Sequence, residues 1–168
     1  MDQTISIITM LATVVPVVIA FATYIRDTKR KAQQDTIEAY NALQNNVLSK
    51  INRLTPTEVC KCCKKTRSDE YKQITEYLIS IESFCIGLDK NIYDFDVFYD
   101  LARDYFNDKK GSIRPTIEPM LEEKRKRNNQ NYHQTLERIW QKMDDRKRVL
   151  ERKNNDPSPY SHPRQNGK

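Results

Sequence analysis

Glycine is scarce in this chain of 168 residues, which contains only Gly87, Gly111 and Gly167. A phosphate-cradling loop needs several glycines close together, so nucleotide-binding loops of that kind are excluded. Histidine is rarer still, with His133 and His162 far apart. A zinc-protease helix needs two histidines four residues apart, and a nucleophile elbow and a Ser-Lys pair are also missing. These absences favour a protein that is not an enzyme and uses no cofactor.

The chain also lacks the alternation of Val, Ile and Thr with polar residues that is typical of strands. Helical periodicity is frequent instead. After the N-terminal segment about 140 residues remain, enough for one small domain. The sequence therefore predicts an all-α protein with an N-terminal transmembrane helix and a small cytoplasmic helical domain of about four helices.

Charge is absent from Gln3 to Ile25, and this absence is the most informative one. The 23 residues of this run, at about 1.5 Å of helical rise each, span a hydrocarbon core about 30 Å thick. Such a helix is apolar on every side, so it must be buried in lipid or in protein. Because the rest of the chain is too polar to enclose it, residues 3–25 are predicted to be a transmembrane anchor.

Two alternatives to the anchor stay open. A cleaved signal peptide would explain Ala20-Phe21-Ala22, which resembles a cleavage site, but Asp2 is acidic where a signal peptide is basic. A buried core helix would be shorter than this run. Pro16 would damage the interior of a soluble helix, whereas membrane helices tolerate proline, so a kink is expected there.

Basic residues flank the anchor on one side only. Four follow it directly and none precedes it: Arg26, Lys29, Arg30 and Lys31. The positive-inside rule places the N-terminus outside and residues 26–168 in the cytoplasm, so the protein is expected in the inner cell membrane. Tyr24 has the position of an interfacial aromatic anchor. The four cations would also be attracted to anionic headgroups, which makes the lipid bilayer a predicted partner.

Apolar spacing divides the rest of the chain. Residues 26–56 are predicted to be a juxtamembrane amphipathic helix, with an apolar stripe at Ile37, Tyr40, Leu43, Val47, Ile51 and Leu54. Thr55-Pro56 should end that helix. Residues 57–67 are predicted to be a basic, cysteine-containing loop. Residues 68–153 are predicted to be a helical domain, and residues 154–168 a disordered tail.

The helical domain shows caps and stripes. Ser68 is a predicted N-cap, and Gly87 a C-terminal stop. The stripe between them consists of Tyr71, Ile74, Leu78, Ile81, Cys85 and Leu88. Asp94 is predicted to open the next helix, whose inward face is Val97, Phe98, Leu101, Ala102, Tyr105 and Phe106. A last stripe starts between Pro115 and Leu121 and resumes with Tyr132, Leu136, Ile139, Trp140 and Met143.

Charge is unevenly distributed along the chain. Residues 26–68 carry ten basic and four acidic side chains, residues 69–108 three and ten, and residues 109–153 fourteen and seven. An acidic middle between two basic arms indicates helices that pack with complementary charges, which biases register and partner choice.

The cysteines are Cys60, Cys62, Cys63 and Cys85. Cys85 lies on an apolar stripe and is interpreted as a small core residue. The spacing of Cys60, Cys62 and Cys63 is not a standard zinc pattern, so no metal is predicted and these three are only weak candidate ligands. Basic neighbours should lower the pKa of their thiols, which leaves metal binding and redox sensing as alternatives to an incidental cluster.

Three further patterns have plain structural interpretations. The segment from Asp89 to Asp100 begins like a calcium loop but lacks its glycine, so a turn and an N-cap at Asp94 are favoured. His133 and Glu137, four residues apart, are expected to be a solvated pair. The basic runs 122–127 and 146–148 have interleaved acidic residues and no aromatic stacking positions, so a solvated face or a headgroup contact is favoured over nucleic acid.

The layout resembles a known family. An anchor and a long helix precede Ile81-Glu82-Ser83-Phe84-Cys85-Ile86-Gly87-Leu88, then Ile92-Tyr93-Asp94, and Pro115 to Met120 leads to Leu136-Glu137-Arg138-Ile139-Trp140. This order, from the anchor to about Met143, is similar to a small bacterial family of anchored helical proteins, the domain of unknown function DUF4760. The resemblance implies a bacterial single-pass membrane protein and assigns no catalytic residue. The cysteine-rich segment is not a feature of that family.

The sequence therefore predicts a membrane-anchored interaction or scaffold module, with a protein partner or self-association through its helices and no small-molecule substrate. The alternative is a membrane-tethered regulator or defence effector that binds nucleic acid through its basic helical arms. An enzyme of unfamiliar type is a third hypothesis, which would require Glu82, Tyr93 or Asp94 to converge in a pocket.

Overall fold

The computed structural model describes residues 2–65, 68–106, 113–128 and 133–155, with side chains from Val14 onward. Within these ranges all regular structure is helical, which confirms the all-α prediction. The helices are α1 (Asp2–Leu43), a π-helical turn (Gln44–Leu48), α2 (Ser49–Ile51), α3 (Pro56–Cys63), α4 (Asp69–Asp89), α5 (Phe95–Phe106), α6 (Ile113–Asn128) and α7 (Gln134–Asn155).

The first helix is continuous and contains both the predicted anchor and the start of the first core stripe. α1 continues through Pro16 as one helix. From Thr36 onward it is part of the core, and Tyr40, Leu43, Val47 and Ile51 are buried as predicted, whereas Ile37 is 42% exposed. The π-helical turn adds a residue to one turn, so Leu48 is buried beside Val47, which the regular stripe did not predict.

Across the part of the chain that the structure describes, no helix is both long and apolar enough to cross a membrane.

The predicted loop at 57–67 is wrong, because α3 occupies most of it. Thr55 caps this helix: its hydroxyl accepts from the Glu58 N–H at 3.2 Å, and the Glu58 carboxylate accepts from the Thr55 N–H at 2.7 Å. Pro56 takes the first helical position, where its missing N–H costs nothing. Thr-Pro-Thr-Glu is a capping box, a local signal that outweighs the loop-like composition. Val59 and Cys63 are buried by this helix.

The central element is α4, which contacts α1, α3 and α7. Ser68 caps it as predicted, since its hydroxyl accepts from the Tyr71 N–H at 3.2 Å. The predicted stripe is buried, except that Tyr71 is half-buried. The Tyr40 and Phe84 rings lie 6.4 Å apart, and Lys50 Nζ lies 5.7 Å from the Tyr77 ring. Residue numbers rise along α1 as they fall along α4, so the two helices are antiparallel.

The end of α4 is a Schellman motif, and the predicted stop at Gly87 is wrong. The Ile92 N–H donates to the Gly87 carbonyl at 2.9 Å and the Asn91 N–H to the Leu88 carbonyl at 3.2 Å, while Asn91 takes the left-handed φ of 56°. Gly87 has a different role: a Cβ there would clash with the ring of Tyr93. That ring stacks on Phe84 at 5.1 Å.

Asp94 caps α5 as predicted, because its carboxylate accepts from the N–H groups of Asp96 and Val97 at 2.9 and 3.1 Å. Of the predicted inward face Phe98, Ala102 and Phe106 are buried, while Leu101 is 44% exposed and Tyr99 is buried instead. The Tyr105 hydroxyl donates to the Leu48 carbonyl at 2.9 Å. With Asp94 bonded to Thr36, this contact shows that α5 runs parallel to α1.

The last two helices form an antiparallel pair. Arg114, early in α6, meets Asp144 of α7 at 3.3 Å, and Arg125, late in α6, pairs with Glu137. The predicted apolar residues of this pair are buried: Ile117, Met120, Leu121, Leu136, Ile139, Trp140 and Met143. The predicted disordered tail at 154–168 is wrong for its first two residues, because α7 continues to Asn155. The rest of that tail and Tyr132 lie outside the described residues.

Candidate functional site

Glu82 joins α4 to the start of α7. Its two carboxylate oxygens accept from the backbone N–H groups of Thr135 and Leu136, at 3.1 and 3.0 Å. These N–H groups belong to the first turn of α7, where no carbonyl of the same helix can accept from them. A side chain from another helix therefore supplies the N-terminal cap of α7, and its negative charge also complements the helix dipole.

The environment of Glu82 keeps it ionised. Burial alone would raise the pKa of this carboxyl, but the nearby His133 imidazole and the hydrogen bonds from Leu136 and Thr135 outweigh burial and hold the pKa below its ordinary value. His133 Nδ1 lies 3.6 Å from the carboxylate, and the imidazole is almost fully buried. The carboxylate thus serves as a fixed acceptor for the α4–α7 junction.

The predicted solvated pair of His133 and Glu137 is wrong. His133 precedes α7 in a left-handed conformation, with φ of 65°, and its side chain turns inward toward Glu82. Glu137 pairs across to Arg125 of α6. The i, i+4 spacing assumed one helix through both residues, whereas α7 begins at Gln134.

The hypothesis of an unfamiliar enzyme required Glu82, Tyr93 or Asp94 to converge. In the described structure each has a separate structural contact: Glu82 caps α7, Asp94 caps α5, and the Tyr93 ring lies between Phe84 and Gly87. Tyr93 lines a shallow groove of about 400 Å³ between α1 and α4, to which neither carboxylate contributes. These three side chains are accounted for by the fold.

A larger cleft lies at the end of the domain that is distant from residues 14–35. Its volume is about 590 Å³, and its lining comes from α2, the connection to α3, α3 and α4: Lys50, Arg53, Leu54, Glu58, Cys62, Glu70, Gln73, Ile74 and Tyr77. We refer to these nine residues as the distal cleft. Ile74 is buried and Leu54 half-buried, so the floor is apolar.

The rim of the distal cleft carries both signs of charge. Lys50 and Arg53 come from the end of the first helical segment, and Lys50 lies over the Tyr77 ring. Hydrogen bonds with Thr55 lower the pKa of Glu58. The pKa of Glu70 is lowered by hydrogen bonds from the backbone of Glu70 itself and from the Ser68 side chain. The distal cleft therefore combines an apolar floor with a rim of both charges.

The weak candidate ligands Cys60, Cys62 and Cys63 all lie on α3, with Cys60 exposed and Cys63 buried. Cys63 Sγ contacts Met120 Sδ at 3.4 Å, and burial raises the pKa of its thiol, so the expected lowering by basic neighbours is wrong for this cysteine. Among the described residues no group of three His, Cys, Asp or Glu side chains is placed to hold a metal ion. Cys85 is fully buried, as predicted for a core residue.

The flank of the predicted anchor is solvent-exposed on α1: Tyr24, Arg26, Lys29, Arg30 and Lys31. The basic run in α6 is different, because Arg125 pairs with Glu137, Arg127 with Glu123 at 2.6 Å, and Lys124 lies 5.9 Å from the Tyr71 ring. These contacts offset part of the positive charge of this run.

Charge complementarity between the acidic middle and the second basic arm is confirmed in the described structure. Asp89 meets Arg138 at 3.1 Å and Lys142 at 3.7 Å, and Asp96 meets Arg146 at 3.1 Å. The charge blocks are visible in the sequence, but the sequence does not show which charged residues pair with each other. Sequence reasoning also missed Thr36, whose hydroxyl accepts from the Asp94 N–H at 2.7 Å. The available signal was its place four residues before Tyr40 on the same stripe.

Comparison with known protein families gives a match over most of the chain. A family described as a domain of unknown function (DUF4760) matches residues 10–143, which include most of α1 and the helices from α2 to the first half of α7. No curated protein and no solved structure matches the chain. The matched range covers both motif blocks that carry the resemblance, Ile81–Asp94 and Leu136–Trp140. The chain therefore belongs to the DUF4760 family.

Proposed function

We propose that this protein is a membrane-anchored helical interaction module: the apolar part of α1 inserts into the bilayer, and the domain presents the distal cleft to a protein partner. The observation that carries the proposal is that α1 contains both the apolar segment and part of the domain core. Its residues 3–25 contain no charge, and the same rod contributes Thr36 and Tyr40 to the domain core.

Exposure supports the anchor. Between Val14 and Ile25 the large apolar side chains of α1 are 48 to 68% exposed, and burial by the domain begins only beyond Lys31. An apolar helical segment that the protein itself does not cover needs another apolar environment. The basic flank from Arg26 to Lys31 favours a cytoplasmic domain and an outside N-terminus in the inner cell membrane of a bacterium.

Cys60 tests the anchor and its orientation, because it is exposed whereas Cys63 and Cys85 are buried. A membrane-impermeant maleimide should label the chain only after cells are permeabilised, and a Cys60→Ser/Cys62→Ser variant should not be labelled at all. With that variant as background, Gln3→Cys should react in intact cells. Labelling of Cys60 in intact cells would contradict the orientation.

Alkaline extraction tests insertion itself. The full chain should stay in the membrane pellet, whereas Val14→Asp/Val18→Asp should release it, since each charge at mid-membrane costs about 2.5–3.5 kcal/mol. Both valines are about half or more exposed, so the domain should fold in either form. Equal extraction of the two forms would contradict the anchor.

The distal cleft is tested with a photo-crosslinking amino acid in place of Gln73, which lines it, and in place of Lys126, which lies on α6 outside it. In native membranes we expect an adduct from position 73 that is absent from position 126 and is lost in Arg53→Glu. An adduct at twice the 19.9 kDa chain mass would identify a second copy as the partner. Equal adducts from both positions would overturn the role of the cleft.

A further inference from the structure

The end of α7 is strongly basic. From Arg146 to Lys153 it carries five cations and one carboxylate, Glu151. Arg146 is held by Asp96 and Arg148 by Asp145. In the described structure the remaining three cations are exposed and in no ion pair: Lys147, Arg152 and Lys153.

The direction of α7 follows from its contacts with α4. The first turn of α7 lies at Glu82, Arg138 and Lys142 lie at Asp89, and Arg146 lies at Asp96 just beyond the turn after α4. Residue numbers rise together, so α7 runs parallel to α4. Because α4 is antiparallel to α1, α7 points back along α1 toward its N-terminal, apolar part.

The α7 helix packs against the domain core over most of its length. Leu150, seven residues or about two helical turns beyond Met143, packs against the hydrophobic core. The helix therefore does not turn away from the bundle before its last turn.

The lengths bring two groups of cations to one level. Asp96 lies close to the level of Thr36, because Asp94 is bonded to that threonine. From Arg146 to the end of α7 at Asn155 the helix rises about 14 Å, at about 1.5 Å per residue. From Thr36 back to the last apolar residue, Ile25, α1 covers about 16 Å at the same rise. Arg152 and Lys153, about 9 and 10 Å beyond Arg146 at this rise, thus reach the level of Arg30 and Lys29, whereas Lys147 stays near the level of Thr36.

We propose that Arg152 and Lys153 join the cations at Arg26–Lys31 in one face that binds the headgroups of acidic phospholipids. This inference rests on the proposed anchor, which would hold the face against the bilayer surface. Two contacts, one on each of two helices, would fix the tilt of the domain. The distal cleft, at the opposite end, would then face away from the membrane.

Acidic lipid is favoured over nucleic acid by composition and place. Residues 144–155 contain no aromatic side chain on which a base could stack. The face also adjoins the exposed apolar segment of α1, which a nucleic acid would leave uncovered.

The test uses the full chain reconstituted in vesicles of neutral phosphatidylcholine, with or without about a third of phosphatidylglycerol, a content that makes the surface strongly negative. A fluorophore is placed on Glu151→Cys in the Cys60→Ser/Cys62→Ser background, and a quencher is attached to the lipid headgroups. We expect quenching in the anionic vesicles that weakens at high salt and does not respond to inorganic phosphate at the same concentration as the lipid.

Two variants with equal charge change decide the outcome. Arg152→Gln/Lys153→Gln should weaken the lipid contact by at least about tenfold, since each cation near an anionic surface contributes about a factor of five. Lys61→Gln/Lys64→Gln, at the distal end, should leave it unchanged. Equal loss in both, or no loss in the first, would overturn the proposal. So would release of the contact by duplex DNA at low salt, which would favour nucleic acid.

Failure of the anchor is a separate result. A chain that is washed off the vesicles at alkaline pH would overturn the proposed function, and this inference with it. A chain that resists washing while its fluorophore shows no quenching would overturn the lipid contact alone.

Discussion

Single side chains determine how the turns of this domain are held. Thr36 is the clearest case: it is fully buried, donates to the Ala32 carbonyl at 2.6 Å and accepts from the Asp94 N–H at 2.7 Å. One hydroxyl thereby ties the α4–α5 turn to α1. Thr28 makes the same bond to the carbonyl four residues back, at 2.8 Å, but is exposed.

Thr36→Val should destabilise the domain by about 1–2 kcal/mol, because the shape is retained while the Asp94 N–H loses its acceptor. Thr28→Val should change the stability by less than about 0.5 kcal/mol, as is usual for surface positions. Denaturant unfolding of the full chain in mild detergent, followed by the fluorescence of Trp140, the single tryptophan, measures both. Equal effects of the two variants would contradict the role given to Thr36.

Gly87 is the second case, because its missing side chain makes room for the Tyr93 ring. Gly87→Ala should destabilise the domain by about 1–2 kcal/mol, since the clash displaces Tyr93 from Phe84 and exceeds the gain of about 1 kcal/mol in helix propensity. In a Tyr93→Ala background the same change should be neutral or stabilising. The double-mutant cycle in the same unfolding assay checks this, and additive effects would contradict the account.

Elements are joined by groups that lie far apart in sequence. α7 receives its N-terminal cap from Glu82 of α4, and α6 is connected to α7 by Arg114–Asp144 and Arg125–Glu137. By contrast α3, α4 and α5 are capped by the residue directly before each helix: Thr55, Ser68 and Asp94. The local caps could be predicted from spacing, although the one at Thr55 was overlooked. The cap from Glu82 could not, because it needs the packing of two helices.

Glu82→Gln should lower the free energy of unfolding by about 1–2 kcal/mol at neutral pH, since charged hydrogen bonds to backbone N–H groups are stronger than neutral ones. The folded-state pKa of Glu82 is lowered, so its contribution is present above the ordinary carboxyl value of 4.5 and is lost as pH falls through the lowered one. The difference between wild type and variant should therefore shrink in acid.

Unfolding measured by Trp140 fluorescence between neutral pH and about pH 3 would show this trend, because that range extends below the ordinary glutamate pKa. Glu76→Gln, an exposed position on the same helix, is the matched control and should have little effect throughout. A difference for Glu82→Gln that stayed constant with pH would contradict the ionised cap.

At the scale of the whole molecule, α1 contains both an exposed apolar segment and part of the domain core in one helix. The end of α4, the start of α5 and the end of α7 all lie toward the apolar part of α1, whereas the distal cleft lies at the other end. This polarity gives the proposed module a lipid-facing end and a partner-facing end. Neither end is apparent from the order of the helices along the chain.

The sequence by itself determined what depends on neighbouring residues: the helical class, the charge-free run to Ile25, the caps at Ser68 and Asp94, and the buried stripes of α4 and α7. Only the tertiary structure decided the inward turn of His133, the room at Gly87 for Tyr93, the cap from Glu82 and the direction of the basic end of α7. The physical reason is separation. Periodicity and capping act within a few residues, whereas the cap from Glu82 joins groups 53 and 54 residues apart. Gly87 and Tyr93 are near in sequence, but only the path of the turn after α4 brings the ring against the glycine.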